Sequence, residues 1–458
     1  MKQKSEMMIK GPLLKNIILY TIPIILTGAL QLLFNAADLV VVGQFCGSIS
    51  LGAVGATGSV TGLIVNLFIG LSMGSGVAVA HAYGAREDEN IHRTVHTAIP
   101  TALICGAFLT VAGMFLSEPL LVLMGTPEEV LPLSTIYMQI YFGGVTFTML
   151  YNFCAAILRA LGDTKSPLIF LSIAGVLNVV LNVIFVTQLH MNVAGVALAT
   201  AIAQAVSALL TMRALMRRTD AAKLMLKKMR IYKAQLLKII RIGIPAGLHS
   251  SLFAISNTLI QSSINSFGET LMSGNAAAGN IEGFVAVLDN GFFQSTVNFV
   301  GQNYGARQFK RAKKATYLCL ICNAVSTFAA SMLALSLGPQ LLSIYITDSA
   351  EAIECGMMRM SVICATWFIA SLMDTTTSAL RGMGASAVPM VISVLGVCGL
   401  RIGWIYTIFQ LPQFHTPQFL FMSYPITWSI TFVAQLIAFF IVLKKASGRA
   451  GEAAARKE

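Results

Sequence analysis

The chain is dominated by apolar runs of 18 or more residues, and this feature decides what it can fold into. A helix of that length can cross a hydrocarbon layer of about 30 Å. Only 11% of the residues are charged, whereas soluble proteins carry roughly 25%. We therefore predict an all-α integral membrane protein.

Twelve spans can be placed in the sequence. Their predicted positions are 16–43, 52–82, 94–117, 133–158, 167–188, 193–214, 239–267, 273–303, 315–338, 355–380, 388–410 and 418–443. The basic N-terminus followed by an apolar stretch is typical of a signal peptide, but this stretch is too long and contains Asp38. We expect it to be a retained first helix.

The positive charge follows the order of the spans. If the twelve spans alternate in direction, 29 of the 31 Lys and Arg residues fall on one side, and only Arg359 and Arg401 do not. Basic residues are enriched in cytoplasmic loops, so we expect both termini in the cytoplasm. Long helical runs favour the plasma membrane or the inner membrane of a bacterium-like cell. The net charge of +12 then indicates topology and a lipid bilayer as partner, and no nucleic acid.

Two halves of the sequence repeat in register. The landmarks that recur at an offset of 221 or 222 positions are Ile22-Pro23 with Ile244-Pro245, Tyr83-Gly84-Ala85-Arg86 with Tyr304-Gly305-Ala306-Arg307, and Arg159 with Arg381. Six spans is an even number, so both halves enter the membrane from the same side. We predict two pseudo-symmetric six-helix bundles related as a parallel repeat, with a binding cavity between them.

The repeat sets the predicted domain boundaries. They are an N-terminal six-helix lobe at 1–215, a cytoplasmic linker at 216–238, a C-terminal six-helix lobe at 239–445 and a cytoplasmic tail at 446–458. Apolar and basic residues are interleaved in the linker. This pattern fits an amphipathic helix on an anionic membrane surface, or alternatively a solvated basic loop.

Asp38 is the most informative acidic residue within a span. A buried charge is costly in a membrane, and it is tolerated where it faces a cavity, binds an ion or takes up a proton. Gln31, Phe34 and Asp38 share one face of the first span, and we predict that this face contacts substrate. Asp38 lies 23 residues after Lys15, about 34 Å along a helix and toward the outer leaflet.

Polar residues of spans 5 and 6 suit a site with Asp38. Asn178 and Asn182 are one helical turn apart in span 5, and Thr200 lies in span 6. Desolvation favours the protonated form of a carboxylic acid, so Asp38 could exchange a proton. Alternatively, the Asp, Asn and Thr oxygens could surround a small cation, or the group could be an interhelical hydrogen-bond brace.

The C-terminal half holds three further acids within spans. Asp374 lies seven residues before Arg381, and we predict that it faces the central cavity and attracts cationic substrates, with a local structural role as the alternative. Glu282 and Asp289 are seven apart on one helix face and predict a second titrating cluster. We find no ATP-binding loop, no catalytic constellation and no metal-ligand pattern. We therefore expect no enzymatic activity, no metal and no cofactor.

Several of these segments together resemble the multidrug and toxic compound extrusion (MATE) family along essentially the full chain. The segments are Pro23 fifteen residues before Asp38, Asp38-Leu39-Val40-Val41-Val42-Gly43, the two Tyr-Gly-Ala-Arg tetrapeptides, and Leu158-Arg159-Ala160-Leu161-Gly162-Asp163. The resemblance implies a V-shaped pair of six-helix bundles. It also implies export of cationic or amphipathic organic compounds by antiport with H⁺ or Na⁺.

The resemblance also implies roles for individual residues. Asp38, Asn178, Asn182 and Thr200 match the coupling site of similar proteins, and Asp374 matches a family carboxylate in helix 10. Asn182 stands where an aspartate is often found, and the missing charge should weaken cation binding, which favours H⁺.

The glutamate that some members carry in helix 7 is replaced here by Phe253. This replacement argues against a C-terminal sodium site of that kind. We expect a monomer that takes small organic cations.

Other functions remain open at this point. The nearest is a flippase for a lipid-linked saccharide or precursor, which the same architecture could support and which many cavity cations would favour. A membrane receptor or enzyme would need a catalytic constellation or a sizeable soluble region. A major-facilitator transporter is also built as six plus six helices, but the segment Gly84–Glu89 fits its loop motif poorly.

Overall fold

The computed structural model describes residues 6–347 and 349–455, in which every regular element is helical. Its long helices are α1 Leu13–Phe45, α2 Ser48–Gly84, α3 Asp88–Leu123, α4 Leu131–Ala160, α5 Lys165–Val183 continued by Ile184–Gln188, α6 Asn192–Met216, α7 Lys233–Asn265, α8 Glu269–Gly305, α9 Phe309–Ser336, α10 Ala350–Gly382, α11 Ala387–Ser393 continued by Val394–Gly399 and Leu400–Tyr406, and α12 Pro417–Ala455. Each predicted span overlaps one of these helices. The predicted all-α fold with twelve long helices is confirmed.

Helix α8 is the exception to the apolar pattern. Eleven helices in the described residues are long and apolar enough to cross a bilayer, and α8 is not among them. Its buried residues include Asn275, Glu282, Asp289, Asn298 and Gln302, which lower its average hydropathy. Buried polar side chains need partners inside the protein, so α8 is expected to line a polar site.

The linker does not form the amphipathic helix that its pattern allowed. Between α6 and α7 the structure has only a short 3₁₀ turn, Leu226–Lys228. The backbone N–H of Met225 donates to His96 Nε2 over 3.1 Å, and the N–H of Tyr232 donates to Thr97 Oγ1 over 3.1 Å. Because side chains of α3 satisfy its backbone, the segment folds against the N-terminal half instead of forming a helix.

The chain forms two compact units that exchange their first helical segments. One unit contains Ile22–Gly247, and the other contains Met8–Thr21 together with the chain from Leu248 onward. Helices α1 and α7 each contain a proline, Pro23 and Pro245, at the point of division. Proline removes a helical hydrogen bond and favours a kink there. The predicted lobes, 1–215 and 239–445, did not include this exchange.

Close backbone packing holds the first segment of α7 in the N-terminal unit. A Cβ added to Gly70 of α2 would lie 2.3 Å from the backbone nitrogen of Gly247, and one added to Gly74 would lie 2.3 Å from the Ile239 carbonyl oxygen. Only glycine allows two helix backbones to approach this closely. The two helices therefore pack against each other along this glycine seam.

The first segment of α1 is held in the C-terminal unit by α8. The hydroxyls of Thr21 and Ser295 are 2.7 Å apart, and the rings of Tyr20 and Phe299 pack edge to face with centroids 5.4 Å apart. Upstream, Met8 is fully buried, and its carbonyl oxygen accepts a hydrogen bond from Asn303 over 3.0 Å. The segment is thus a structural part of the second unit.

Candidate functional site

Four polar residues of the N-terminal unit meet in one hydrogen-bonded cluster. Asp38 lies on α1, Asn178 and Asn182 on α5, and Thr200 on α6. Asn182 Nδ2 donates to Asp38 Oδ1, and the Thr200 hydroxyl donates to Asp38 Oδ2 over 3.4 Å. Asn178 Nδ2 donates to Thr200 Oγ1 over 3.2 Å. The structure therefore brings together the four residues that the sequence predicted as one site; their coupling role stays a prediction.

Helix α5 presents its two asparagines to Asp38 from one face. Asn178 and Asn182 are four residues apart, and both are buried. The π-helical segment Ile184–Gln188 follows them directly, and such segments frequently occur at functional sites. The Oδ1 atom of Asn182 is buried and has no hydrogen-bond partner. The cluster therefore keeps one free acceptor beside the carboxylate.

Asp38 is held by neutral groups. Within residues 6–347 and 349–455, no Lys, Arg or His forms an ion pair with this carboxylate. Asp38 is also only half-buried, whereas Asn182 is fully buried. A carboxylate without a fixed cationic partner can exchange a proton or bind a small cation.

The other residues predicted on the Asp38 face differ in environment. Phe34 packs on α5, since a Cβ added to Gly175 would lie 1.8 Å from its ring carbon Cε2. Gly175 is three residues before Asn178, so the Phe34 ring covers α5 about one turn from the cluster. Gln31 is exposed. Their predicted contact with substrate remains a prediction.

The C-terminal unit contains a cavity of about 360 Å³. Side chains of α7, α8, α10, α11 and α12 line it, and these include the three predicted acids Glu282, Asp289 and Asp374. They also include Arg359 and Arg401. The volume is typical of a site for a small organic molecule.

The acids of the cavity are not grouped as the sequence predicted. Glu282 lines the same cavity as Asp289 but does not pair with it; it forms a two-bond ion pair with Arg359, over 2.9 Å to Nε and 2.6 Å to Nη2. Arg359 also donates to Asn275 over 2.5 Å. Arg359 thus has three hydrogen-bond contacts with Glu282 and Asn275, and loss of the Glu282 carboxylate would leave its buried guanidinium without an acidic partner.

Asp289 pairs instead with Asp374. The two carboxyl groups lie within hydrogen-bonding distance of each other, across α8 and α10. Asn323 of α9 donates to Asp289 over 2.7 Å and to Thr375 over 3.0 Å. Two carboxyl groups this close can share one proton, so Asp289 and Asp374, and not Asp289 and Glu282, are the candidate titrating pair of this half.

Sequence reasoning missed the two arginines as site residues. Arg401 of α11 is only 1% exposed, and its guanidinium carbon lies 4.1 Å from the Tyr424 ring centroid and 5.6 Å from that of Phe253. The available signal was the charge distribution, because Arg359 and Arg401 are the two basic residues outside the predicted cytoplasmic loops. Helical spacing alone could not show which acids they meet.

Comparison with known proteins gives one consistent result. The MatE family model matches residues 23–184 and 245–407, that is, both halves of the repeat. The chain is 30% identical over 302 residues to the probable multidrug resistance protein YpnP of Bacillus subtilis (strain 168), covering 66% of this chain and 67% of that protein. It is 24% identical over 395 residues to the probable multidrug resistance protein YoeA of the same organism, covering 85% of each.

Solved structures share the fold. One is the outward-facing conformation of a multidrug resistance MATE family transporter of the MOP superfamily. It has a TM-score of 0.89 at 22% identity, covering 97% of this chain and 98% of that one. At 22% identity this similarity shows that the fold is shared, and it gives no information on the substrate.

Proposed function

Since the chain belongs to the MatE family, whose members are transporters rather than enzymes, we propose that it exports cationic or amphipathic organic compounds by proton antiport. The names of the two Bacillus subtilis relatives describe multidrug resistance, which supports organic compounds as the cargo. The single observation that carries the proposal is a half-buried carboxylate, Asp38, held only by neutral donors.

The hydrogen bonds of Asp38 suggest how proton binding would act. The ionised carboxylate accepts from Asn182 on α5 and Thr200 on α6, and so ties α1 to both helices. Hydrogen bonds to a charged group contribute about 1.5–3 kcal/mol, and a proton on Asp38 would weaken them. Two protonation states then favour two arrangements of α1, and a gradient can drive the exchange between them.

The orientation of the neighbours favours H⁺ over Na⁺. Asn182 turns its amide hydrogens toward Asp38, and Thr200 turns its hydroxyl hydrogen. A sodium ion would need these groups to turn their oxygens instead. A protonated Asp38 could donate to the free Oδ1 of Asn182 if the Asn182 amide turned by about half a turn about its Cβ–Cγ bond. The coupling ion in this proposal is therefore H⁺, and the protein needs no other cofactor.

The substrate role falls to the C-terminal cavity and the Asp38 face. The Asp289–Asp374 pair carries one negative charge when it shares one proton, and it can attract the cationic end of a substrate. Gln31 and Phe34 would contact substrate in the N-terminal half. We further propose a monomer in the plasma or inner membrane. Both termini would lie in the cytoplasm, because alternating spans would place 29 of the 31 basic residues on one side.

A flippase for lipid-linked saccharides is the rival function. It would need a cavity rich in uncompensated cations to hold phosphates. In the C-terminal cavity, Glu282 compensates Arg359, so Arg401 alone lacks an acidic partner. This single cation gives weak support to the rival.

Transport in proteoliposomes tests the proposal. Accumulation of the fluorescent cation rhodamine 123 is followed under a pH gradient and, separately, under a sodium gradient. We expect the pH gradient alone to drive transport, and Asp38→Asn to reduce it to the level of empty liposomes. The control is Asp88→Asn, the same chemical change at an exposed residue at the start of α3, and it should keep wild-type transport.

Two results would contradict the proposal. Transport driven only by sodium would make Na⁺ the coupling ion. Wild-type, gradient-driven transport by Asp38→Asn would remove Asp38 from coupling. Thermal unfolding of both variants in detergent shows whether each is folded.

A further inference from the structure

Asn323 of α9 joins three helices beside the acid pair of the C-terminal unit. Its Nδ2 donates to Asp289 of α8 over 2.7 Å. It also faces two acceptors of α10, Thr375 Oγ1 at 3.0 Å and the Ser371 carbonyl oxygen at 3.3 Å. The side chain is fully buried, and its Oδ1 has no hydrogen-bond partner. The acceptors around Nδ2 therefore orient the amide, and a carbonyl oxygen can only accept, which keeps the N–H side toward Asp289.

This amide distinguishes the two acids of the pair. In the part of the chain that the structure describes, Asn323 is the one side chain that brings an N–H to either carboxyl group, and it reaches Asp289. An ionised carboxylate accepts such a bond more strongly than a neutral acid does. When the pair shares one proton, one acid must donate and the other must accept. Asp289 is the better acceptor, so Asp374 is the donor.

Exposure of the two side chains agrees with this assignment. Asp289 is only 7% exposed, whereas Asp374 is half-buried. Both line the cavity of the C-terminal unit. A proton on Asp374 can therefore exchange with the cavity more readily than a proton on Asp289.

The N-terminal half builds the same part of the fold without this polar contact. The two Tyr-Gly-Ala-Arg tetrapeptides recur at an offset of 221, and this offset places Phe68 and Ala102 as the counterparts of Asp289 and Asn323. Both counterparts belong to the hydrophobic core of the N-terminal unit. Apolar side chains thus suffice for packing at these positions. Polar and ionisable groups within a membrane span are costly and mark functional sites.

Other charged groups act on the pair through Asp374. Arg381, seven residues after Asp374 on α10, interacts with it electrostatically, and His249 of α7 interacts with Arg381. The remaining charged or titratable side chains that share the cavity are Glu282, Arg359, Arg401 and Tyr424. Asp289 is in direct contact with Asp374, whereas Arg381 stands about 10 Å further along the helix. The contact therefore decides where the proton lies, and the Arg381 charge stabilises the carboxylate that remains when Asp374 releases it.

We propose that Asn323 is a positioning residue: its N–H holds Asp289 as the carboxylate of the pair, so that Asp374 takes up and releases the shared proton. The proton passes between an Asp374 carboxyl oxygen and the cavity, and Asp289 stays ionised throughout. This proposal deepens the proposed function, because the charge of the pair is what the cationic end of a substrate would meet. Only that consequence rests on the export function.

The titration of the pair tests the assignment. As the pH rises, two interacting acids lose their protons in two steps. If Asn323 stabilises ionised Asp289, its N–H favours the first step alone, since Asp289 is already ionised before the second. Asn323→Leu removes this hydrogen bond to a charged group. We expect it to raise the midpoint of the first step by about one to two pH units and to leave the second unchanged.

Infrared spectroscopy of the full chain in detergent measures both steps. The C=O band of protonated aspartic acids is followed against pH in protein made with isotope-labelled aspartate, which separates it from glutamic acid. The spectrum of the double variant Asp289→Asn with Asp374→Asn, recorded at the same pH, is subtracted, so that Asp38 and the exposed aspartates cancel. The number of protons on the pair then follows directly.

Thr327→Val is the control for a merely structural role. Thr327 lies one turn after Asn323 on α9, and its hydroxyl donates to Ser371 Oγ of α10 over 3.1 Å. Valine has the same shape, so this variant removes a bond between the same two helices without touching either acid. Both midpoints should stay at their wild-type values.

Two further variants decide the matter if Asn323→Leu does not fold. In Asp374→Asn, Asp289 remains together with its donor Asn323, whereas in Asp289→Asn the remaining Asp374 has no such donor. We expect the remaining acid to titrate about one pH unit or more lower in Asp374→Asn than in Asp289→Asn. The reverse order would overturn the assignment.

The other outcomes are equally decisive. A shift confined to the second step would place the shared proton on Asp289. An equal shift of both steps, no shift, or the same shift in Thr327→Val would reduce Asn323 to packing, and each of these results rejects the proposal. The titration needs no gradient and no Asp38, so proton-driven transport that depends on Asp38 can survive such a result. Conversely, loss of the antiport proposal would leave the titration of this pair as it is.

Discussion

The ion pair of Glu282 with Arg359 makes a quantitative prediction about the C-terminal unit. The side chains are 5% and 12% exposed, so solvent screens the pair little. Glu282→Gln leaves a buried guanidinium with only neutral acceptors, one of which is Asn275. Removing one partner of a buried pair typically costs about 3–5 kcal/mol. We expect about 3 kcal/mol here, because glutamine retains one acceptor oxygen.

Removal of both charges should cost less than removal of one. In Glu282→Gln with Arg359→Gln no buried charge is left, and the two amides can bond to each other. We therefore expect the double variant to be more stable than either single variant, with a coupling energy of about 2–3 kcal/mol. Glu269→Gln, an exposed glutamate in the first turn of α8, is the control and should change stability by less than about 1 kcal/mol.

The measurement is a double-mutant cycle of unfolding in detergent, followed by tryptophan fluorescence. If the losses in the two single variants simply add in the double variant, the two side chains do not interact energetically, and the reasoning from burial and geometry is refuted. If Glu282→Gln changes the free energy of unfolding as little as Glu269→Gln does, solvent must screen the ion pair. That result would contradict the burial of the pair. Either result would also weaken the charge balance assigned to the cavity.

Two further predictions concern packing and the linker. Gly247→Ala should destabilise the protein by about 3 kcal/mol or more in thermal unfolding, because its Cβ would lie 2.1 Å from the Leu67 carbonyl oxygen. The control is Gly403→Ala, where an added Cβ meets no atom within 4 Å. This variant should be neutral or slightly stabilising. In the linker, burial raises the pKa of Asp220, but hydrogen bonds and charge from Arg218 outweigh it and hold the pKa below its usual range. The stabilising contribution of Asp220 is then present above about pH 4 and is lost as the pH falls through the lowered pKa. Hydrogen exchange of the linker backbone should therefore accelerate in acid. In Asp220→Asn the linker should exchange faster than in the wild type already near neutral pH. Protection that is equal in the variant and the wild type at neutral pH would contradict this.

Much of the architecture could be predicted because the physical signals are local. Apolar runs give the helices, and the offset of 222 between Pro23 and Pro245 gives the repeat. The span of α8 was also predicted, although its acids and amides make it the least apolar of the twelve. The Asp38 cluster was predicted because Asn178 and Asn182 share one face and the family resemblance supplied the partner helix.

The remaining features depend on tertiary contacts that spacing does not contain. Glu282 and Asp289 do share a helix face, yet their partners, Arg359 and Asp374, come from α10. Likewise, the linker pattern was compatible with an amphipathic helix. The linker instead forms hydrogen bonds to acceptors on α3, some 130 residues earlier in the chain. A sequence shows which side chains need partners, but not which partners they find.

The exchanged segment of α1 has a consequence for biogenesis. Met8–Thr21 leaves the ribosome early, but Thr21 meets its partner Ser295 only after 274 more residues have been made. At synthesis rates of about 5–20 residues per second, this wait lasts roughly 15–55 s. During that time the surface of the first helix that will pack on α8 has no protein partner. The insertion machinery or lipid must cover this surface until α8 has been made. If the two halves were expressed as separate polypeptides, each would lack one helical segment of its compact unit. Each unit would be complete only after the halves had exchanged the first segments of α1 and α7.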